Sequence, residues 1–211
     1  MPRPRLHDID AMLDAAAALV GAGGPAALTL RSLAHETGAP VGTLTHAFGS
    51  RDGLVSRLWV RAAVTFLERQ EEQVAAALPD SPVAATVAAA LTPLDVLSDH
   101  PATAAVLLGY RREDLLGPDA VTGDLRAVER RLVALLLRLA EALWSRRDAD
   151  AVEAVTVCVV DLPTGLLRRH LRGGHGVPPG TARHLRAAVE GVLALGPPPT
   201  RKGPSRAHTR P

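Results

Sequence analysis

Three stretches of this chain repeat apolar residues at alternating intervals of three and four. Leu125, Val128, Leu132, Leu135, Leu139 and Ala142 form the first. Val152, Val155, Val159, Leu162 and Leu166 form the second, and Leu185, Ala188, Val192 and Leu195 the third. Such spacing puts each set on one stripe of an α-helix, and a stripe this narrow is covered by another helix, in the core or between subunits. Composition agrees. Ala and Leu supply 37 and 32 of the 211 residues, and Ile9 is the only isoleucine. Both are strong helix formers, whereas strands favour β-branched and aromatic side chains. The run Val155 to Val160 resembles a strand locally, but a lone strand has no partner, so the expected fold class is all-α.

The other segments extend this pattern. Ile9, Met12, Leu13, Ala16 and Val20 share one helix face, giving a first helix from about Asp8 to Val20, stopped by Gly21, Gly23 and Gly24. Thr29 suits an N-cap for a short helix ending at Gly38. A second short helix starts near Pro40 and runs to Phe48, and Ser50 caps a long fourth helix reaching about Leu78. Beyond Pro79 to Pro82, Thr92-Pro93, Pro101 and Gly117-Pro118 punctuate shorter pieces over 83–90, 94–98 and 102–112. Pro163 is expected to kink the helix carrying the second stripe.

Several functions are disfavoured. The longest uncharged stretch, Ala15 to Leu30, holds 16 residues and is interrupted by Gly23-Gly24-Pro25. A membrane span needs about 18 or more continuous apolar residues. With Cys158 as the lone cysteine and no leader pattern, a soluble cytoplasmic chain without disulfides is expected. The segment from Pro197 on holds Arg201, Lys202, Arg206 and Arg210 and no acid, so the other 196 residues carry 20 cations against 22 acids. The basic pI thus belongs to a tail expected to be disordered, not to the folded body. His170, His175, His184 and Asp161 lack metal-ligand spacing, so no metal is expected. No nucleophile elbow or phosphate loop occurs, so neither an enzyme nor a cofactor is expected.

The informative segment is 30–48. Leu30 to Thr37 and Val41 to Phe48 are two short helices joined by Gly38-Ala39-Pro40, the pattern of a helix-turn-helix. Leu33, Ala34, Leu44 and Phe48 can hold the pair together, and Gly38 can take the positive φ of the turn. Gly42, Thr43, Thr45 and His46 leave the second helix short and polar outside, which suits insertion into a major groove.

The string ALTLRSLAHETGAPVGTLTHAFGSRDGLV, Ala27 to Val55, resembles the DNA-binding domain of the tetracycline-repressor (TetR) family. Leu28-Thr29, Arg31, Leu33-Ala34, Gly38, Gly42-Thr43-Leu44, Phe48, Ser50-Arg51-Asp52 and Leu54 match its pattern in register. Three positions depart from it. Pro40 replaces the usual serine, Thr45 the usual aromatic and Ala47 the usual histidine, which weakens two backbone-phosphate contacts that His46 could partly replace. The resemblance implies a three-helix helix-turn-helix domain over 1–50, a helical effector-binding and dimerisation domain over 51–196, and the basic tail over 197–211.

It also implies roles. Thr29, Arg31, Val41 and Gly42, with Thr43, Thr45, His46 and Arg51, would meet a double-stranded DNA operator. Trp59, Phe66, Leu107 and Tyr110, with Arg111 and Asp161, would border a pocket for a small, mostly hydrophobic effector. Asp161, expected inside a buried helix, would pair with Arg111 or Arg138 or orient the effector. Val152, Val155, Val159 and Leu162, with Leu166, Leu185 and Val192, would form a four-helix homodimer interface. The expected function is a TetR-type regulator, a repressor released from a palindromic operator by its ligand. The competing reading is a helical ligand-binding or interaction protein with weakened DNA binding.

Overall fold

A computed structural model describes residues 9–117, 120–172 and 177–199. The tail from residue 200 on, and the side chains of His170 and His175, lie outside the described residues, as does Asp8. The described residues form ten α-helices and no strand. None of those helices is long and apolar enough to cross a membrane.

Helix α1 (Ile9–Gly23) supports the short pair α2 (Leu30–Thr37) and α3 (Val41–Phe48). Helix α4 (Arg51–Ala77) leads away from them. The first core joins Met12, Leu13 and Val20 to Leu33, Leu44 and Phe48, and continues into Leu54 and Leu58 of α4. Helices α5 (Pro82–Asp99), α6 (Pro101–Gly109) and α7 (Thr122–Trp144) follow. A second core packs α5 and α7 against α8 (Ala149–Thr156) and α10 (Thr181–Leu195), through Val87, Leu139, Val155 and Val189.

The sequence expectations are corrected in four places. Helix α1 does not stop at Gly21 but runs to Gly23, and the chain turns at Gly24, whose φ is +70°. Gly21 sits where α6 crosses. A Cβ there would lie 3.4 Å from Ala102, so glycine permits a close approach that offsets its poor helix propensity.

Second, the expected pieces 83–90 and 94–98 are one helix running through Pro93. Proline has no N–H to give the carbonyl four residues back. Here that carbonyl, Ala89 O, accepts a 2.9 Å bond from Gln70 Nε2 on α4. Thr92 Oγ1 also donates to Gln73 Oε1 (2.5 Å), and Gln73 Nε2 to Asp95 Oδ2 (2.7 Å). Helix α4 thus supplies the donor that Pro93 denies to Ala89 O, and the side-chain bonds of Gln73 hold the same two helices together.

Third, Pro163 produces a π-turn over Val157–Asp161 between α8 and α9 (Leu162–Arg172). Leu162 N–H bonds Val157 O, five residues back. The extra residue rotates the inward face. The buried positions are Ala151, Val155, Cys158 and Val159, then Leu167 instead of the expected Leu166.

Fourth, Val155, Val159 and Leu185 are 0%, 3% and 2% exposed inside the protomer itself. These three expected interface residues are therefore core residues. Val152, Leu162, Leu166 and Val192 are half-buried, and Leu195 is 87% exposed.

Candidate functional site

The helix-turn-helix is assembled from local hydrogen bonds. Thr29 caps α2. Ser32 N–H donates to Thr29 Oγ1 and Thr29 N–H to Ser32 Oγ, each at 2.9 Å, while Ser32 Oγ donates to Ala27 O at 2.7 Å. At the other end Gly38 turns the chain with φ +67°, and Thr37 Oγ1 donates back to Leu33 O. Pro40 precedes α3 with an extended ψ of 141°, and its carbonyl accepts from Thr43 N–H at 2.9 Å. The buried side of the pair is Leu33, Leu44 and Phe48, each at most 2% exposed.

The outward side of α3 carries Val41, Gly42, Thr45 and His46, all exposed, with Thr43 half-buried beside them. A Cβ at Gly42 would meet nothing within 4 Å, so α3 presents an open, low-relief face. Arg31 projects from α2, exposed. Thr45 Oγ1 donates to Val41 O at 3.1 Å, which engages its one proton within the helix. Arg51 serves the fold: its Nε donates to Leu28 O (2.8 Å) and its Nη2 to Pro25 O (3.0 Å). It clamps the segment before α2 onto α4 and leaves Nη1 and the second Nη2 proton for anything outside.

Among the residues expected around an effector, Trp59, Phe66 and Leu107 line one cavity of about 290 Å³. Tyr110 lines an adjoining cavity of about 440 Å³, together with Trp59 and Leu107. Arg111 borders a third hollow beside Val20 and Pro25, near the end of α1. Asp161 corrects the expectation of a buried carboxylate. It is exposed and lines neither of the first two cavities, because the π-turn that ends on it carries it off the inward face.

Several lining residues were missed, among them the polar Gln70 and Arg168, and Arg126 and Glu129 of the larger cavity. Gln70 and Arg168 both border the 290 Å³ cavity, and Arg168 borders the 440 Å³ one as well. Gln70 had a legible signal, since Ala63, Leu67, Gln70 and Val74 keep a helical apolar period in which Gln70 is the one polar member. Arg168 had none, because its placement depends on the π-turn.

Burial pushes the Tyr110 phenol above its ordinary pKa, an effect opposed by Arg51 and reinforced by Asp114. The hydroxyl therefore stays protonated at neutral pH. Burial also raises the Cys158 thiol to about 11.

Residues 12–58 match the family model described as bacterial regulatory proteins, tetR family. No curated protein sequence matches the chain. The fold is shared with solved structures. A TetR-family transcriptional regulator from Streptomyces coelicolor is 21% identical with a TM-score of 0.67, over 89% of this chain and 98% of that one. A protein of unknown function from Rhodococcus sp. RHA1 is 19% identical with a TM-score of 0.70, over 93% and 100%. The multidrug binding protein EbrR, complexed with imidazole, is 22% identical with a TM-score of 0.60, over 95% and 96%. The family model falls on α1 to α4, so residues 12–58 form a DNA-binding domain of the tetR family type, and the fold of nearly all the rest is the one seen in those solved structures.

Proposed function

We propose that the chain is a homodimeric transcriptional repressor that leaves a palindromic operator when a small, mostly apolar effector enters the cavities between α4, α6 and α7. The observation that carries this reading is the open outer face of α3 on a scaffold whose own caps and turn are satisfied. Val41, Gly42, Thr43 and His46 enter the major groove, with Thr29 at its rim. Arg31 reaches a base edge from α2. Arg51 contributes chiefly by fixing the segment before α2 and touches phosphate only through the Nη protons that those bonds leave over. Thr45 favours the competing reading of weakened DNA binding, because a hydroxyl proton engaged with Val41 O is not offered to phosphate.

Dimerisation uses the apolar side chains that the protomer leaves uncovered: Leu195, with Val192 beside it on α10, and Leu162 and Leu166 on α9. Val155, Val159 and Leu185 are excluded, since a partner cannot reach them.

The test is footprinting on the DNA upstream of the chain's own gene, combined with sedimentation. A twofold-symmetric footprint is expected. Arg31→Ala should cost about 1–3 kcal/mol and relax one symmetric pair of operator positions. Leu195→Glu should convert dimers to monomers and abolish the footprint. An absent footprint with an intact dimer would instead favour a ligand-binding or interaction protein.

A further inference from the structure

Among the described residues, four buried side-chain polar atoms have no hydrogen-bond partner: Arg57 Nε, Gln70 Oε1, Tyr110 Oη and Arg168 Nε. Three of the four belong to side chains lining the two adjoining cavities. Leaving a buried polar atom without a partner is costly, so three such atoms beside two adjoining cavities mark a site that something polar completes. Trp59, Leu107 and Arg168 line both cavities, which makes them two lobes with a shared wall.

The three atoms differ in what they need. Gln70 is 1% exposed. Its Nε2 is committed to Ala89 O, so the amide orientation is fixed and Oε1 can only accept. Arg168 Nε can only donate, and its charge has no acid opposite it in the 290 Å³ cavity, where Gln70 and Thr164 are the other polar residues of the lining. The Tyr110 hydroxyl, in the lobe that Arg168 also borders, has a proton to give. The lobe holding the Tyr110 hydroxyl is bordered by two cations, Arg126 and Arg168, against one acid, Glu129, so donors outweigh acceptors there, while an acceptor stands in the other lobe on mostly apolar walls.

Building on the effector-pocket reading above, we infer that the effector is an apolar organic acid. Its carboxylate or equivalent oxyanion is held by Arg168 Nε and the Tyr110 hydroxyl, and its own hydroxyl or N–H is donated to Gln70 Oε1. An ionic hydrogen bond of this kind is roughly twice as strong as a neutral one, so the anion is the main determinant of affinity. A neutral hydrocarbon of the same shape would leave all three atoms without partners.

The inference is tested with two probes of nearly the same skeleton. 1-Anilinonaphthalene-8-sulfonate carries an oxyanion and an N–H, while N-phenyl-1-naphthylamine carries the N–H alone. The full chain with Trp144→Phe retains Trp59 as its sole tryptophan, so quenching of Trp59 reports occupancy of the shared wall. The sulfonate should bind at least tenfold more tightly than the neutral amine. Arg168→Met should remove most of that preference while changing amine binding less than twofold, and Tyr110→Phe, a milder change, should reduce the preference severalfold. In a Pro93→Ala background, where a new N–H can serve Ala89 O, Gln70→Leu should weaken both probes. Equal binding of the two probes in the parent, or a preference that survives both Arg168→Met and Tyr110→Phe, overturns the organic-acid assignment and leaves the pocket standing. Absence of Trp59 quenching by either probe overturns the pocket and the assignment together.

Discussion

The two ends of α4 belong to regions built on opposite principles. Around its N-terminus, Thr29, Ser32, Thr37, Ser50 and Arg51 spend their polar atoms on backbone groups within or just outside the helix-turn-helix. In its second half, along the cavity wall, Gln70 spends one amide atom on the carbonyl freed by Pro93 and leaves the other without a partner. A DNA-reading helix gains from a rigid, self-satisfied frame that fixes its orientation before contact. A cavity that recognises a ligand gains from polar atoms held in place but left for the ligand to satisfy. The two regions therefore respond to change differently: alterations to the first act on order, and alterations to the second act on complementarity.

The sharpest way to break the first region is to hollow its core. Leu44 is 0% exposed and packs between α2, α3 and α4, so Leu44→Ala should cost about 2–5 kcal/mol. Thermal unfolding should shift down and DNA binding should fall with it, while the quenching of Trp59 by a cavity probe persists below the new midpoint. Loss of both functions in strict parallel would mean that the two regions are not separable in this way.

A smaller effect probes the second region. Gln70→Leu removes the partner of Ala89 O, and should cost about 1–3 kcal/mol. In the Pro93→Ala background the α5 backbone can supply that bond itself, so the same substitution should cost less by about 1 kcal/mol. Chemical denaturation of the four proteins of this cycle measures the coupling. Strict additivity would show that Gln70 does not stand in for the missing N–H.

Gly38→Ala comes next, at about 1–2 kcal/mol, because φ of +67° is strained for any residue with a Cβ even though the space around it is open. Its melting-point shift should leave probe affinity unchanged. Last, Cys158 tests the packing beneath the π-turn without altering stability. A thiol raised to about 11 is almost wholly protonated at pH 8, and the side chain is also 0% exposed. A disulfide reagent should leave it unmodified in the native chain and react promptly after denaturation. Fast native labelling would indicate that α8 and α9 separate readily.

These contrasts also explain what the sequence made legible. The helix-turn-helix was readable because Thr29, Gly38, Pro40 and Ser50 each act within a few residues of themselves. All-α architecture was readable because the apolar period is long and repeated. Helix α5 was misread at Pro93 because the compensating Gln70 lies 23 residues upstream, and no local rule connects them. The second apolar stripe was displaced by one residue because the π-turn inserts a position that a period of three and four does not contain. Asp161 and Leu166 moved off the inward face for that reason, and Arg168 came onto the cavity wall. Val159 shows a further limit. A repeating stripe says that a face is buried, and it does not say whether the protomer's own helices or a partner's bury it.

The proposed role depends most directly on α3 reading DNA sequence. Fluorescence anisotropy with a duplex from the chain's own upstream region, a scrambled duplex of equal length, and salt raised from about 50 to about 200 mM measures this. Sequence-independent phosphate contact loses several orders of magnitude over such a range, whereas base readout persists as a ratio between the two duplexes. Both affinities should fall with salt while the native duplex stays preferred by about 10³-fold or more. Equal affinities for the two duplexes at every salt concentration would contradict that role.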